Sequence, residues 1–310
     1  MGKTTRRGFL GASIGAAASS VVPAAWGSLL AAGAGAVSGS TTCSGGREVP
    51  EPAARFELGL ASYTFREFGL DETLAMARRL GFGRIALKDM HLPLDSSEEF
   101  IRATIEKAQA AGLVAYGCGV VYMANDAEVD RAFAYAKAGG MGVIIGVPDH
   151  DLLARAERRV RETGISLDIH NHGPGDLRYP TPRSILDRID KLDPRIGVCL
   201  DVGHCQRAGL DPSEEASRCG RRLLDVHMKD VTASTEQGVA VEAGRGVVDI
   251  PRFVKTLAGM DYRGTAAFEY EKDGHDPLAG LAESVGYVRG VMAGLGERTD
   301  RPPIKNGGAV

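Results

Sequence analysis

The stretch SLDIHNHGPGD, Ser166–Asp176, ends an apolar run with His170 and His172, two positions apart, before glycine and proline break the chain. Three later runs end in a similar way. IGVCLDVGH closes on Asp201 and His204, LLDVHMKDV carries His227 and Lys229, and GTAAFEYE carries Glu269 and Glu271. An earlier run, RIALKDMHL, adds Lys88 and His91. Side chains alternate along a strand, so residues two apart share a side, and each of these pairs is expected to face one way at two depths. A single histidine at a strand end is usually a hydrogen-bonded structural residue. Four successive runs ending in ionisable groups are harder to assign to packing, because charged groups are rarely buried unless paired or bound to metal. Imidazoles together with carboxylates suit one divalent transition ion such as Mn, Zn, Co or Fe, and the mixed nitrogen and oxygen donors argue against calcium.

The elements that must hold these groups can be read from the pattern. Apolar runs of strand length start at Leu58, Arg84, Leu113, Val143, Ile165, Ile196, Leu223 and Gly264, which makes eight. Between them lie amphipathic stretches, among them DETLAMARRLG from Asp71, SSEEFIRATIEKAQAAG from Ser96, DAEVDRAFAYAKAGG from Asp126 and TPRSILDRIDKL from Thr181. Several open on Asp, Ser or Thr and close on Gly, as helices do. Continuous apolar strands alternating with helices imply a parallel sheet with a covered outer face. Eight such units predict a single-domain α/β fold, a closed (β/α)8 TIM barrel over residues 51–298, close to the size of about 250 residues typical of that fold. An open doubly wound sheet is the runner-up, but SYTFREFG after the first strand is not a glycine-rich phosphate turn.

The first fifty residues differ. A basic front with Arg6 and Arg7 precedes a long Ala, Gly, Leu and Val stretch diluted by Ser. This composition suits a cleaved or disordered export segment better than a membrane span, with cleavage after Ala25 or Ala36 and no stable span after processing. Thr5–Leu10, TRRGFL, resembles a twin-arginine signal, which implies passage through the twin-arginine machinery to the periplasm or the outside. Residues 1–50 are therefore expected to be signal and linker, and 299–310 a C-terminal tail. The net charge of -3 excludes a general nucleic-acid binder. Of the five cysteines, Cys118 and Cys199 lie in apolar runs and are expected to be buried free thiols.

The motifs DVGH (Asp201–His204), DVHMKD (Asp225–Asp230), GRGVVDIP (Gly244–Pro251) and FEYE (Phe268–Glu271) resemble, in order and spacing, those of the xylose isomerase-like barrels, the sugar phosphate isomerases and epimerases. The resemblance covers about Phe56 to Leu295. It implies one metal held by a strand-five Glu, a strand-six Asp, a strand-seven His and a strand-eight Glu, the last three falling on Asp201, His227 and Glu269. A common family form ends strand five in Glu-Asn-His, whereas here the order is His170, Asn171, His172, which aligns His170 with the glutamate. The resemblance also implies that His204 contacts substrate and that the loop carrying Arg245 approaches it.

That difference bears on mechanism. In the ketose epimerases of this family the two ligand glutamates exchange protons with opposite faces of the substrate, and a metal-bound imidazole has no free base to offer. Another base must then act, and Lys88, His172 and Glu271 are the catalytic candidates, with His91, His204, Lys229 and Arg245 as substrate contacts. Structural roles stand beside each: an ion pair between Glu271 and Lys229, a loop cap for His91, a salt bridge from Lys88 to Asp89 or Asp168, a tight turn at Arg245. The expected function is an exported, metal-dependent sugar isomerase or epimerase. Elimination from an oxidised glycoside by a lyase or hydratase carries nearly equal weight, and a sugar-binding protein without turnover is a third reading. A nuclease of the endonuclease IV type, which shares the superfamily, would need more ligands and a basic face.

Overall fold

The computed structural model describes residues 56–297. The strands are β1 (Glu57–Ala61), β2 (Arg84–Leu87), β3 (Val114–Met123), β4 (Val143–Pro148), β5 (Ser166–His170), β6 (Ile196–Asp201), β7 (Leu223–Met228), the short β8 (Asp230–Val231) and β9 (Ala240–Val241), and β10 (Thr265–Phe268). The barrel is closed in the order β1-β10-β7-β6-β5-β4-β3-β2, every pair parallel, while β8 and β9 form an antiparallel two-stranded sheet. This is the expected (β/α)8 architecture. The export segment, its cleavage sites, Cys43 and the tail from 299 lie outside the described residues.

Nine helices are described: α1 (Leu70–Arg79), α2 (Glu98–Ala110), α3 (Asp126–Ala138), α4 (Leu153–Thr163), α5 (Pro182–Ile189), α6 (Val202–Arg207), α7 (Pro212–Cys219), α8 (Ile250–Gly259) and α9 (Leu278–Glu297). Their starts follow the capping signals. Ser97 accepts from the Phe100 amide, Asn125 from Glu128 and Thr181 from Ser184, while proline opens α5 and α7. None of the described helices is long and apolar enough to cross a membrane. Cys118, Cys199, Cys205 and Cys219 are buried and free.

The strands stop earlier than their apolar runs suggest. SYTF after β1 is a 3-10 turn (Ser62–Phe65), KDMHL follows β2 as a turn, and DVGH is a strand-to-helix joint. Asp201 ends β6 and also caps α6, its Oδ1 accepting from the His204 amide at 2.7 Å. Lys88, His91, His172, His204, Lys229, Glu269 and Glu271 therefore sit on the connections at the C-terminal mouth, where barrel chemistry collects.

Candidate metal centre

Four side chains on consecutive elements of the mouth converge. Ligand atoms of His170, Asp201, His227 and Glu269 all lie within 4.8 Å of one another, and all four residues are buried. His170 Nε2 is 3.2 Å from His227 Nδ1 and 3.6 Å from Asp201 Oδ2, and His227 Nδ1 is 3.2 Å from Glu269 Oε2. Donors about 2.1 Å from one ion sit roughly 3.0–3.4 Å apart along the edges of its coordination polyhedron. The spacing thus fits a single small divalent ion. Asp201 Oδ2 is buried, with the Lys229 ammonium 3.0 Å away and His170 Nε2 beside it, so it faces into the donor cluster.

The backbone fixes these groups. Asn171, fully buried between β5 and β6, accepts from the Asp201 amide at 2.9 Å and donates to the Asp201 carbonyl at 3.2 Å. Thr64 donates to the Phe268 carbonyl and accepts from the Tyr270 amide, which holds the chain either side of Glu269. Burial lowers the His170 imidazole to about 4 against the pull of Asp201, so it is neutral and able to ligate near neutral pH.

Lys229 is the fifth member of the cluster. Its ammonium is 3.0 Å from each of Asp201 Oδ2, Glu269 Oε2 and Glu271 Oε1, and the side chain is buried. Burial opposes the charge, but the three carboxylates outweigh it and raise the ammonium well above its usual range. The same ammonium holds Asp201 and Glu269 well below the usual carboxylate range despite their burial. Gly203 makes this possible, since a Cβ there would come within 2.7 Å of the Lys229 stem. Lys229 is thus committed to three carboxylates, an inward role in place of the expected substrate contact and more buried than a surface ion pair.

Above the cluster lies a cavity of about 290 Å³, lined by Lys88, His170, His172, His204, Glu269 and Glu271 among others. Two aromatic residues that sequence reasoning passed over, Tyr63 and Tyr122, also line it. Tyr122 Oη is 2.9 Å from His172 Nε2, with the rings stacked. Burial lowers the His172 imidazole below its usual value and raises the Tyr122 phenol above its own. Lys88 donates to the Val120 carbonyl at 2.6 Å and pairs with Asp89 at 3.3 Å, not with Asp168. Burial raises Glu271 above its usual range, against the pull of Lys229.

Besides Lys229, two further predicted substrate contacts are not brought to this cavity. His91 is buried, with Nδ1 2.9 Å from Ser62 Oγ and Nε2 3.1 Å from both Thr73 Oγ1 and the Phe68 carbonyl, so both ring nitrogens are spent on tying the connections after β1 and β2 together. Arg245 points instead to Glu283 on α9. The glycines around it serve Asp230, whose carboxylate accepts from the amides of Gly244, Gly246 and Val248. A Cβ at Gly246 would collide with that carboxylate, so GRG is a loop stapled onto DVHMKD.

An eight-stranded parallel barrel with a two-imidazole, two-carboxylate cluster at its C-terminal mouth defines a class of barrel whose mouth could hold a divalent ion. The chain belongs to the xylose isomerase-like TIM barrel family, whose profile matches residues 74–291. It is 29% identical over 156 residues to the rhizopine catabolism protein MocC of Rhizobium meliloti, a match covering 42% of this chain and 47% of that one. It is 30% identical over 141 residues to an inosose dehydratase of Geobacillus kaustophilus, covering 40% of this chain and 44% of that protein. The chain therefore matches a little under half the length of these relatives. In structure it resembles a D-allulose 3-epimerase from Methylomonas, with a TM-score of 0.63 at 17% identity over 76% of this chain and 98% of the other, a likeness of fold.

Proposed function

We propose that this protein is a metal-dependent carbohydrate lyase that removes the proton beside a sugar carbonyl and expels an oxygen substituent one carbon further on. The observation that carries it is His170. Its Nε2 lies in the donor cluster, so the strand-five ligand position offers an imidazole in place of the carboxylate that takes and returns a proton in two-glutamate epimerisation. Asp168, the carboxylate of that strand, lies outside the donor cluster. The similarity to an inosose dehydratase over 141 residues points the same way.

His170, Asp201, His227 and Glu269 would hold a divalent ion, which would supply Lewis acidity at the substrate carbonyl. The remaining work falls to side chains of the cavity. His172 and Tyr122, 2.9 Å apart, take the proton from carbon and pass it along their hydrogen bond. Lys88, held by the Val120 carbonyl, offers a cation to the oxygen that gains charge. Glu271, fixed by Lys229, is the second proton site on the facing wall. For a glycosidic oxygen to leave, the ketone must lie two carbons away, at C3, with the acidic hydrogen at C2 between them.

Incubation of the metal-loaded protein with keto-glycosides and free ketoses in deuterated water tests this. Release of the aglycone with formation of an unsaturated ketone is expected. Deuterium uptake with intact connectivity would instead establish isomerisation, and neither product nor exchange would establish binding without turnover. We further propose that residues 1–50 direct export, on the strength of TRRGFL and the small-residue stretch after it. Cell fractionation with Arg6 and Arg7 changed to Lys should retain the protein inside.

A further inference from the structure

Beside the 290 Å³ cavity lies a second of about 550 Å³, and His204 and Glu271 line both. Its walls are of two kinds. Val231, Val239 and Val241, on or flanking the β8–β9 sheet, give an apolar side, and Val239 is exposed there. Arg207 and Lys272 add two cations, one held by the Glu236 carbonyl and the other by Glu242, while Lys229, the third basic residue of the lining, is spent on its three carboxylates. Arg207 Nε is buried and has no partner among the described residues.

We propose that this cavity is a second subsite, which holds the phenolic leaving half of a glycoside while the oxidised sugar occupies the smaller cavity. The inference rests on the elimination reading and names its substrate class. No Phe, Tyr or Trp lines the cavity, so apart from the His204 imidazole at its edge it lacks the platform on which a second sugar would stack. Apolar walls next to two cations suit instead a flat apolar ring bearing an acidic oxygen, favoured by both cation–π attraction and phenolate charge.

His204 stands at the boundary of the two cavities. Arg207 Nη1 lies 3.3 Å from its Nδ1, and a guanidinium only donates, so Nδ1 accepts and the proton of the neutral ring is on Nε2. Among the described residues Nε2 has no hydrogen-bond partner, so it is available to donate to the departing oxygen. As the C2–H bond breaks, its electron pair forms the C1–C2 double bond and the C1–O bond breaks. The aglycone leaves as an oxyanion hydrogen-bonded by His204 and takes a proton from water. The proton abstracted from C2 returns to water through His172 and Tyr122.

Calorimetric titration of the full-length, manganese-loaded protein with phenyl and methyl glucosides of the same anomeric form tests the subsite without turnover. The phenyl glucoside should bind about ten-fold more tightly, or about 1.4 kcal/mol. Val239→Trp, which fills the cavity from an exposed position, should abolish that advantage and leave methyl glucoside unchanged, and Val241→Trp is the second variant should the first fail to fold. Failure of the phenyl glucoside to bind more tightly than the methyl one, or an advantage that survives both variants, overturns the proposal. A disaccharide binding better than the phenyl glucoside overturns the phenolic assignment. A phenyl preference without cleavage of phenyl 3-ketoglucoside supports the subsite and refutes elimination.

Discussion

Lys229 gives the sharpest test of how the site is balanced. Its ammonium touches three carboxylates at 3.0 Å, and Asp201, one of them, is fully buried and unable to turn to water. Lys229→Met keeps the stem that packs beside Gly203 and removes only the charge. Breaking a buried ion pair by deleting one partner costs about 3–5 kcal/mol. In a domain of this size 1 kcal/mol corresponds to about 2–4 °C, so the metal-free variant should melt roughly 6–20 °C below the parent. A divalent ion would restore positive charge to two of the same carboxylates. Scanning calorimetry with chelator and then with saturating manganese should therefore show a larger metal-dependent rise in Tm for Lys229→Met than for the parent. Equal rises, or a metal-free variant within about 2 °C of the parent, would refute a shared charge balance.

Three further outcomes are expected. His170→Ala, Asp201→Ala, His227→Ala and Glu269→Ala should each lose bound metal by mass spectrometry, whereas Lys88→Ala and His172→Ala should keep it and lose about 10²–10⁴ in turnover; full occupancy in His170→Ala would remove that residue from the ligand set. Asn171→Ala deletes both hydrogen bonds to the Asp201 backbone and should weaken metal binding about 10- to 100-fold, read by competition with a chromophoric chelator. Glu242, held by Lys272, titrates at about 2 when folded, below its unfolded value near 4.3. Its stabilisation is thus present above about 4.3 and lost as the pH falls through about 2, so the Tm gap between the parent and Glu242→Gln should narrow on acidification over that window.

The barrel was legible because burial on both faces makes parallel strands continuously apolar, and because Ser97, Asn125 and Thr181 announce helix starts by hydrogen bonds made within one turn. The ends of the strands were less legible. An apolar run such as IGVCLDVGH does not say that Asp201 will turn inward to cap α6, since that choice is set by the His204 amide and by Asn171, just past the end of the neighbouring strand β5. His170, Asp201, His227 and Glu269 come together where alternation and the family resemblance pointed. His91 and Arg245 do not join them, because their partners, Thr73, Ser62 and Glu283, are distant in sequence and carry no local signal. Tyr122 was missed for the opposite reason: an aromatic side chain near the end of an apolar run looks like core until its hydroxyl is seen beside His172.

The replacement at strand five changes where negative charge resides more than how much there is. With His170 in the donor set, two carboxylates of the cluster would face a bound ion, and Glu271 supplies a third just outside it, tied to Lys229. Three carboxylates would then balance one ammonium and one divalent ion. In the arrangement the family resemblance implies, a glutamate at position 170 would be both ligand and base. Under the proposed function ligation and base chemistry would be separated: an imidazole kept neutral by burial would ligate, while Glu271 and the His172–Tyr122 pair face the cavity. That separation removes the symmetry between two ligand carboxylates on which reversible epimerisation depends. It leaves proton acceptors that are not metal ligands, the His172–Tyr122 pair and Glu271, beside the cluster and a hydrogen-bond donor, His204, at the opening to the neighbouring cavity, which is the asymmetry the proposed elimination requires.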